Sequence, residues 1–314
     1  RASEMGEGRA SVGGESRLNQ VKATKMSYRT ARVGDIDIHY EIADYTPPWR
    51  NVAPDTVLLH HGYARNLLFW QPLVPLLAGH YRVLRFDARG CGETTQPPPG
   101  STFSLEQFAD DTIGLLDKLE IERVHWVGES SGGIVGLVAA LTRAARLHTL
   151  TLCDTPFKRP ADIAATYTVG EADRAAAFEK YGVGGWCRQT LSYRLDTTKA
   201  TPELCEWYIA QMDKNPKHIA VALERMIGQG DLWPKLPSIT TPTLILAGEN
   251  SPIVKEAMRK EMQQRLPGAK LVTLRGFGHG VHLLAPEQCA QEIRTFIEAY
   301  RKAHEKELSL RGTP

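Results

Sequence analysis

One stretch limits what this chain can fold into more than any other. It runs from Val124 to Ala140 as Val-His-Trp-Val-Gly-Glu-Ser-Ser-Gly-Gly-Ile-Val-Gly-Leu-Val-Ala-Ala. A short apolar run leads into Gly128-Glu129-Ser130-Ser131-Gly132, and a helix of small apolar residues follows. Strand, tight turn and helix, in that order, is the setting in which Gly-x-Ser-x-Gly lifts a serine hydroxyl above a sheet edge. The glycines flank the serine for a steric reason. The turn is strained, and a side chain at either position would collide as the helix folds back under the strand. Ser130 is therefore the candidate nucleophile.

A chain of 314 residues fits one large α/β domain with an insertion, or two smaller domains. Its net charge of +2 gives no electrostatic case for nucleic acid or an anionic membrane as partner. The longest nearly uninterrupted apolar run, Gly132 to Leu141, is too short to span a bilayer. Five cysteines (Cys91, Cys153, Cys187, Cys205, Cys289) are scattered and odd in number, without a Cys-x-x-Cys pair. That argues against a disulfide framework and against a zinc site, and it fits a reducing, cytoplasmic setting. Cys153 and Cys289 lie in apolar patterns and read as core. No signal peptide is visible. Residues 1–25, rich in Gly, Ser, Glu and Arg, read as a flexible extension, or as an arm docking on a neighbouring subunit, which leaves a homo-oligomer open.

From Met26 onward strands and helices alternate. Tyr28–Val33 and Ile36–Ile42 form a hairpin pattern around Gly34-Asp35, and Thr56–His60 and Tyr81–Phe86 are solid apolar runs of buried strands. Leu67 to Leu77 has helical periodicity, with Pro72 and Pro75 near its ends or kinking it. Ser104-Leu105-Glu106-Gln107 opens a helix to about Leu119 with an N-cap and Gln at the third position. The elbow helix is expected to reach about Arg146, and Leu147–Cys153 is a strand ending at Asp154-Thr155-Pro156.

The pattern then changes. Residues 157–237 carry helical stretches at Glu171–Tyr181, Pro202–Met212 and Ile219–Gln229 and no convincing strand, which reads as a helical lid. The sheet resumes at Pro242–Ala247 and Lys270–Arg275, with helices at Val254–Leu266 and Pro286–His304 and a flexible tail over 307–314. Core segments 26–156 and 238–306 thus form a mainly parallel, doubly covered sheet of eight strands.

A serine hydroxyl needs a base to take its proton as it attacks. His279 follows the last strand in Gly276-Phe277-Gly278-His279-Gly280, where flanking glycines free the loop to bring an imidazole over the sheet edge; His282 is the competitor. These elements together resemble the α/β-hydrolase fold over about Tyr28 to Ala303. The likeness rests on His61-Gly62 after the third strand, Asp87-x-Arg89-Gly90-x-Gly92 after the fourth, the elbow after the fifth, the lid after the sixth and Gly278-His279 after the eighth. The resemblance implies a Ser–acid–His order.

The acid departs from the family's commonest pattern. Ser251 of Gly248-Glu249-Asn250-Ser251-Pro252 stands where an Asp is usual. The candidate in its place is Asp154, at the end of the sixth strand, with Glu249 as rival. An elbow ending Ser130-Ser131-Gly132 and an acid after the sixth strand are similar to fungal zearalenone lactonases, which implies a resorcylic macrolactone as substrate; those enzymes carry Glu where this chain has Asp154. The oxyanion donors expected are the backbone N–H of Ser131 and that of Tyr63 or else Gly62. Arg89 reads as structural.

In the lid, Trp186, Trp207, Tyr208, Met212, Met226 and Trp233 are candidates for an apolar substrate pocket. The expectation is a serine hydrolase without cofactor or metal, acting on a bulky hydrophobic ester or lactone by way of Ser130, His279 and Asp154. Two alternatives stand beside it: a cofactor-independent dioxygenase of the same fold, and a non-catalytic ligand receptor on this scaffold.

Overall fold

The computed structural model describes residues 28–157, 161–228 and 232–311. The expected N-terminal extension lies outside the described residues. Eight strands form one sheet: β1 (Arg29–Val33), β2 (Ile36–Ala43), β3 (Thr56–His60), β4 (Arg82–Phe86), β5 (Val124–Glu129), β6 (Leu147–Cys153), β7 (Thr243–Gly248) and β8 (Lys270–Leu274). Their order is β1-β2-β4-β3-β5-β6-β7-β8. The β1–β2 and β2–β4 pairs are antiparallel and the others parallel. Every residue of β3, β5 and β7 is buried, because helices cover both faces of the sheet.

The helices are α1 (Val74–Ala78), α2 (Leu105–Lys118), α3 (Ser131–Thr142), α4 (Ala161–Thr166), α5 (Arg174–Thr190), α6 (Pro202–Asp213), α7 (Lys217–Gly228), α8 (Glu256–Arg265), α9 (Val281–Leu284) and α10 (Pro286–Arg311). One core unites α2, α3, α8 and the insertion helices; a second joins α1, α9 and α10 across the opposite face. The eight-stranded, mainly parallel sheet covered by helices matches the expected fold, and helices α4 to α7 lie between β6 and β7.

Boundaries shift where proline and glycine act. Leu67 to Leu77 is not one helix but a 3₁₀ turn at Leu67–Trp70 followed by α1, with Pro75 in the first turn of α1. The elbow helix stops at Thr142, and Ala144–Arg146 forms a separate 3₁₀ turn. The first long insertion helix runs from Arg174 to Thr190, broken at Gly182 with φ 70°. The expected tail is helical as far as Arg311, since α10 continues. Arg89 is structural as anticipated, bridging Asp35 and Asp111 at 2.7 Å each.

Register aligns the carboxyl ends of the strands. His60 pairs with Gly128, Glu129 with Cys153, and Cys153 with Leu246. The loops after β3, β5, β6 and β7 therefore emerge side by side.

Several histidines are built into this interior as neutral rings. Burial lowers His60 to about 3, with His61 adding to the effect, and lowers His279 to about 4. An unfolded chain takes protons on these rings below about pH 6.5, while the folded one does so only near its lowered values. The unfolded state then binds more protons, so stability falls as pH drops from about 6.5. We expect these two rings alone to remove on the order of 2–4 kcal/mol between pH 7 and 5. Chemical denaturation at the two pH values measures this; equal midpoints would contradict it.

Candidate functional site

The site begins with backbone strain. Five described residues other than glycine have positive φ, and three of them, Ala64, Ser130 and Asp154, at 50°, 51° and 45°, lie together, while Glu120 and Val169 lie elsewhere in the chain. The three sit just beyond β3, β5 and β6, three neighbouring strands. Non-glycine residues avoid this region because Cβ approaches the backbone, so such a cluster marks a place where the surroundings enforce geometry.

The elbow shows what enforces it. An added Cβ on Gly128 would lie 2.5 Å from both Gly132 C and Gly133 N, and one on Gly132 would lie 2.5 Å from the His61 carbonyl oxygen. Strand, helix and His-Gly loop thus meet with no room for a methyl group. The Ser130 N–H donates to the Cys153 carbonyl at 2.9 Å, pinning the turn to β6. The N–H groups of Ser131 and Tyr63 make no backbone hydrogen bond among the described residues.

His279 is buried on the loop between β8 and α9. Its Nδ1 is 3.0 Å from Ser251 Oγ, which also accepts from the Val254 N–H at 3.1 Å. Its Nε2 has no hydrogen-bond partner among the described residues. Burial chiefly lowers its pKa; Arg65 and Arg194 lower it further and Asp154 opposes them. His282 lies elsewhere, fully buried against Trp70 with ring centroids 4.9 Å apart.

Asp154 differs from its expected arrangement. Its carboxylate reaches the backbone of the histidine loop rather than the ring: Oδ2 accepts from Gly280 N at 2.8 Å and Val281 N at 3.0 Å, and Oδ1 from Gly248 N at 3.1 Å. The reason is position. With β7 between β6 and β8 and a positive φ at Asp154, the side chain meets the loop's N–H groups first. Ser251, at the place of the usual acid, is what touches Nδ1. The rival Glu249 is exposed and accepts from the Gly276 N–H at 2.8 Å.

Sequence reasoning missed Arg65 and Glu129. Glu129 occupies the last position of β5, directly before Ser130, and forms a buried ion pair with Arg65 from the loop after β3. The signal was available: a carboxylate within a fully buried strand requires a charged or multiply bonded partner.

The insertion closes over these loops. Tyr63 Oη donates to the Ala220 carbonyl at 2.8 Å, Arg65 Nε donates to Tyr208 Oη at 2.8 Å, and Asn215 Nδ2 donates to the Ala64 carbonyl at 2.7 Å. On the other side, the Asp196 N–H donates to the His279 carbonyl at 2.9 Å and Asp196 Oδ2 accepts from the Gly278 N–H at 2.8 Å. Met226 lines a cavity of about 10 Å³ with Gly62, Tyr63, Ser131 and Leu223, room for roughly one water. Tyr208 abuts Arg65, and Trp207 packs on Phe69 at 4.8 Å. Trp186 and Met212 instead surround the buried Arg194: its guanidinium lies 4.3 Å from the Trp186 ring centroid, and its Nη1 is 3.6 Å from Met212 Sδ. Among the described residues no three His, Cys, Asp or Glu side chains are grouped to hold a metal ion, and no helix is long and apolar enough to cross a membrane.

A serine on a strained strand-to-helix turn and a histidine buried on the loop after the last strand are elements of a hydrolase-type site on an α/β sheet, and no hydrogen bond joins His279 Nε2 to Ser130 among the described residues. Residues 55–286 match the family model described as alpha/beta hydrolase fold, and the chain belongs to that family. It is 26% identical over 238 residues to 3-oxoadipate enol-lactonase 1 of Acinetobacter baylyi, covering 73% of this chain and 84% of that protein. It is 29% identical over 252 residues to the pimeloyl-[acyl-carrier protein] methyl ester esterase of Aeromonas hydrophila, covering 78% and 95%. The crystal structure of the enol-lactonase from Burkholderia xenovorans superposes with a TM-score of 0.76 at 24% identity, covering 86% of this chain and all (100%) of that one.

The steric argument at the elbow has a direct test. Gly128→Ala forces a methyl group onto backbone atoms that cannot retreat, so we expect a loss of about 3 kcal/mol or more. Urea denaturation measures it, and a midpoint equal to the parent would refute the argument.

Proposed function

We propose that this protein is a serine hydrolase cleaving the carboxylic ester or lactone of a bulky hydrophobic substrate by way of an acyl-enzyme. The observation that carries the reading is the elbow: Ser130 at φ 51° opens α3, whose first N–H, on Ser131, makes no backbone hydrogen bond among the described residues. In this reading Ser130 Oγ attacks the carbonyl carbon while its proton passes to Nε2 of His279. Nδ1–H donates to Ser251 Oγ, leaving the Nε2 lone pair as the basic position. The N–H groups of Ser131 and Tyr63 stabilise the oxyanion, as preorganised dipoles do in a site shielded from water.

Asp154 acts through the loop. Its carboxylate fixes Gly280 and Val281, and its charge favours the imidazolium that forms. Ring orientation falls to Ser251. A lactone or ester is the class named for two relatives, the enol-lactonase and the methyl ester esterase. Within it we propose a zearalenone-like resorcylic macrolactone as the first substrate to try, on the strength of Ser130-Ser131-Gly132 and an acid after β6. A substrate of that size requires the insertion to move, because the cavity beside Ser131 holds only about 10 Å³.

A fluorophosphonate probe should label Ser130 stoichiometrically, and Ser130→Ala should abolish both labelling and ester hydrolysis. An active protein that resists the probe would refute the reading. For the carboxylates, Asp154→Asn turns an amide N–H₂ toward backbone donors, and we expect a loss of about 100-fold or more in kcat/KM. Glu249→Gln should stay within about threefold of the parent, and the reverse ranking would overturn the assignment.

The pH profile follows from His279. Only its neutral form accepts the serine proton, so kcat/KM rises with pH through the free enzyme's imidazole pKa. Burial holds that value at about 4, so the acid limb should lie well below pH 6.5. Labelling rates between pH 4 and 8 measure it; a midpoint at or above about 6.5, the ordinary histidine value, would contradict this.

A further inference from the structure

The elbow carries a charge that the reaction scheme above leaves unused. Glu129 immediately precedes Ser130, and its side chain is 1% exposed. One oxygen, Oε2, pairs with Arg65 Nη1. The other, Oε1, has no hydrogen-bond partner among the described residues, and neither has Nε2 of His279. These two buried atoms face each other at 3.7 Å. A buried acceptor and a buried ring nitrogen, each without a partner, are stable side by side when a proton or positive charge comes to lie between them.

Other carboxylates near the loop are engaged elsewhere. Asp154 is occupied by three backbone N–H groups, Glu249 by Gly276 N and Asp196 by Gly278 N. Glu129 is also unusually well fixed. Arg65 is 2% exposed, donates through Nε to Tyr208 Oη, and lies against the rings of Phe69 and Tyr208 at 5.6 and 5.2 Å. Gly62 makes space for the pair, since a Cβ there would come 2.7 Å from Arg65 Nη1.

We infer that Glu129 is a positioning residue for the base: anchored by Arg65 through one oxygen, it presents the other to the imidazolium that His279 becomes on taking the Ser130 proton. This rests on the reading of Ser130 as nucleophile and His279 as base. As the bond from Ser130 Oγ to the carbonyl carbon forms, the proton moves to Nε2. It then passes to the leaving oxygen as the carbon–oxygen bond of the ester breaks. Glu129 stays ionised throughout and forms no bond. The groups facing His279 are Glu129 from the elbow, Asp154 beyond β6, Arg65 beyond β3, Arg194 from the insertion, Ser251 at Nδ1, and His282 three residues on. Two negative charges and two positive ones flank the ring, and among the described carboxylates only Glu129 comes within 4 Å of the nitrogen that gains the proton.

The test is the pH dependence of fluorophosphonate labelling in the parent and in Glu129→Gln, with melting curves for both. Glu129→Gln keeps an oxygen for Arg65 but removes the charge. We expect labelling about 10- to 100-fold slower at pH 7, with KM for an aryl ester changed by less than about threefold. The acid limb should also move to lower pH, because a nearby negative charge no longer favours protonation. A merely structural ion pair would change the melting temperature without moving that limb. If the parent is not labelled at Ser130, the nucleophile reading falls and this inference with it. If the parent is labelled and Glu129→Gln matches its rate and limb, this inference alone is overturned. Should Glu129→Gln fail to fold, Glu129→Asp keeps the charge and withdraws it by about one bond length. Slowing of about threefold or more supports the role, and an unchanged rate overturns it.

Discussion

The Asp154 carboxylate is the interaction on which the site depends. It is fully buried, and a carboxylate removed from water is tolerated only when its oxygens are satisfied. Here three backbone N–H groups do so, one from the end of β7 and two from the start of α9. The consequence is geometric. Gly276, Gly278 and Gly280 would leave the loop between β8 and α9 free to wander, yet breaking its bonds to Asp154 would strand a charge in the interior. The loop is thereby held where His279 lies over the strand ends. The positive φ of Asp154 belongs to the same arrangement, since it aims the carboxylate across β7 instead of along β6.

That role was only partly legible in the sequence. Ser130 and His279 could be found because glycines surround them, and glycine at a tight turn leaves a trace. The position of Asp154 was legible too, but not its hydrogen bonds, which depend on β7 lying between β6 and β8. Glu129 and Arg65 are 64 residues apart and left no local pattern. Among the secondary elements, β3 and β6 keep their expected bounds, whereas β5 runs two residues into the expected turn, as far as Glu129. Helices were less legible. The expected stretch ending at Tyr181 stops where Gly182 breaks the helix, but helix resumes through Gly184 and Gly185 because Val183, Trp186 and Cys187 are buried there, and packing outweighs glycine's low helix propensity.

The insertion is more than a cover. It bonds to the loop after β3 through Tyr63, Ala64 and Arg65, and to the histidine loop through Asp196. Both loops carry groups that the proposed reaction uses. Displacing the insertion to admit a large substrate breaks hydrogen bonds to those loops, and its return restores them. In the proposed reading, entry of substrate and assembly of the site are therefore one event, so a poorly fitting substrate that props the insertion open also leaves the oxyanion donors and the base less firmly held.

The electrostatics around His279 follow from the same closure. Replacing the usual acid by Ser251 removes a charge from the Nδ1 side of the ring, and a hydroxyl there orients the imidazole without favouring its protonation. Burial, Arg65 and Arg194 all oppose the charged form, leaving a base that is neutral over a wide pH range but poor at holding a proton. In the proposed reaction such a base returns its proton readily to a leaving oxygen, while its first proton transfer needs help. Asp154 supplies part of that help through the loop. An ionised Glu129, 3.7 Å from the nitrogen that receives the proton, is placed to supply the rest.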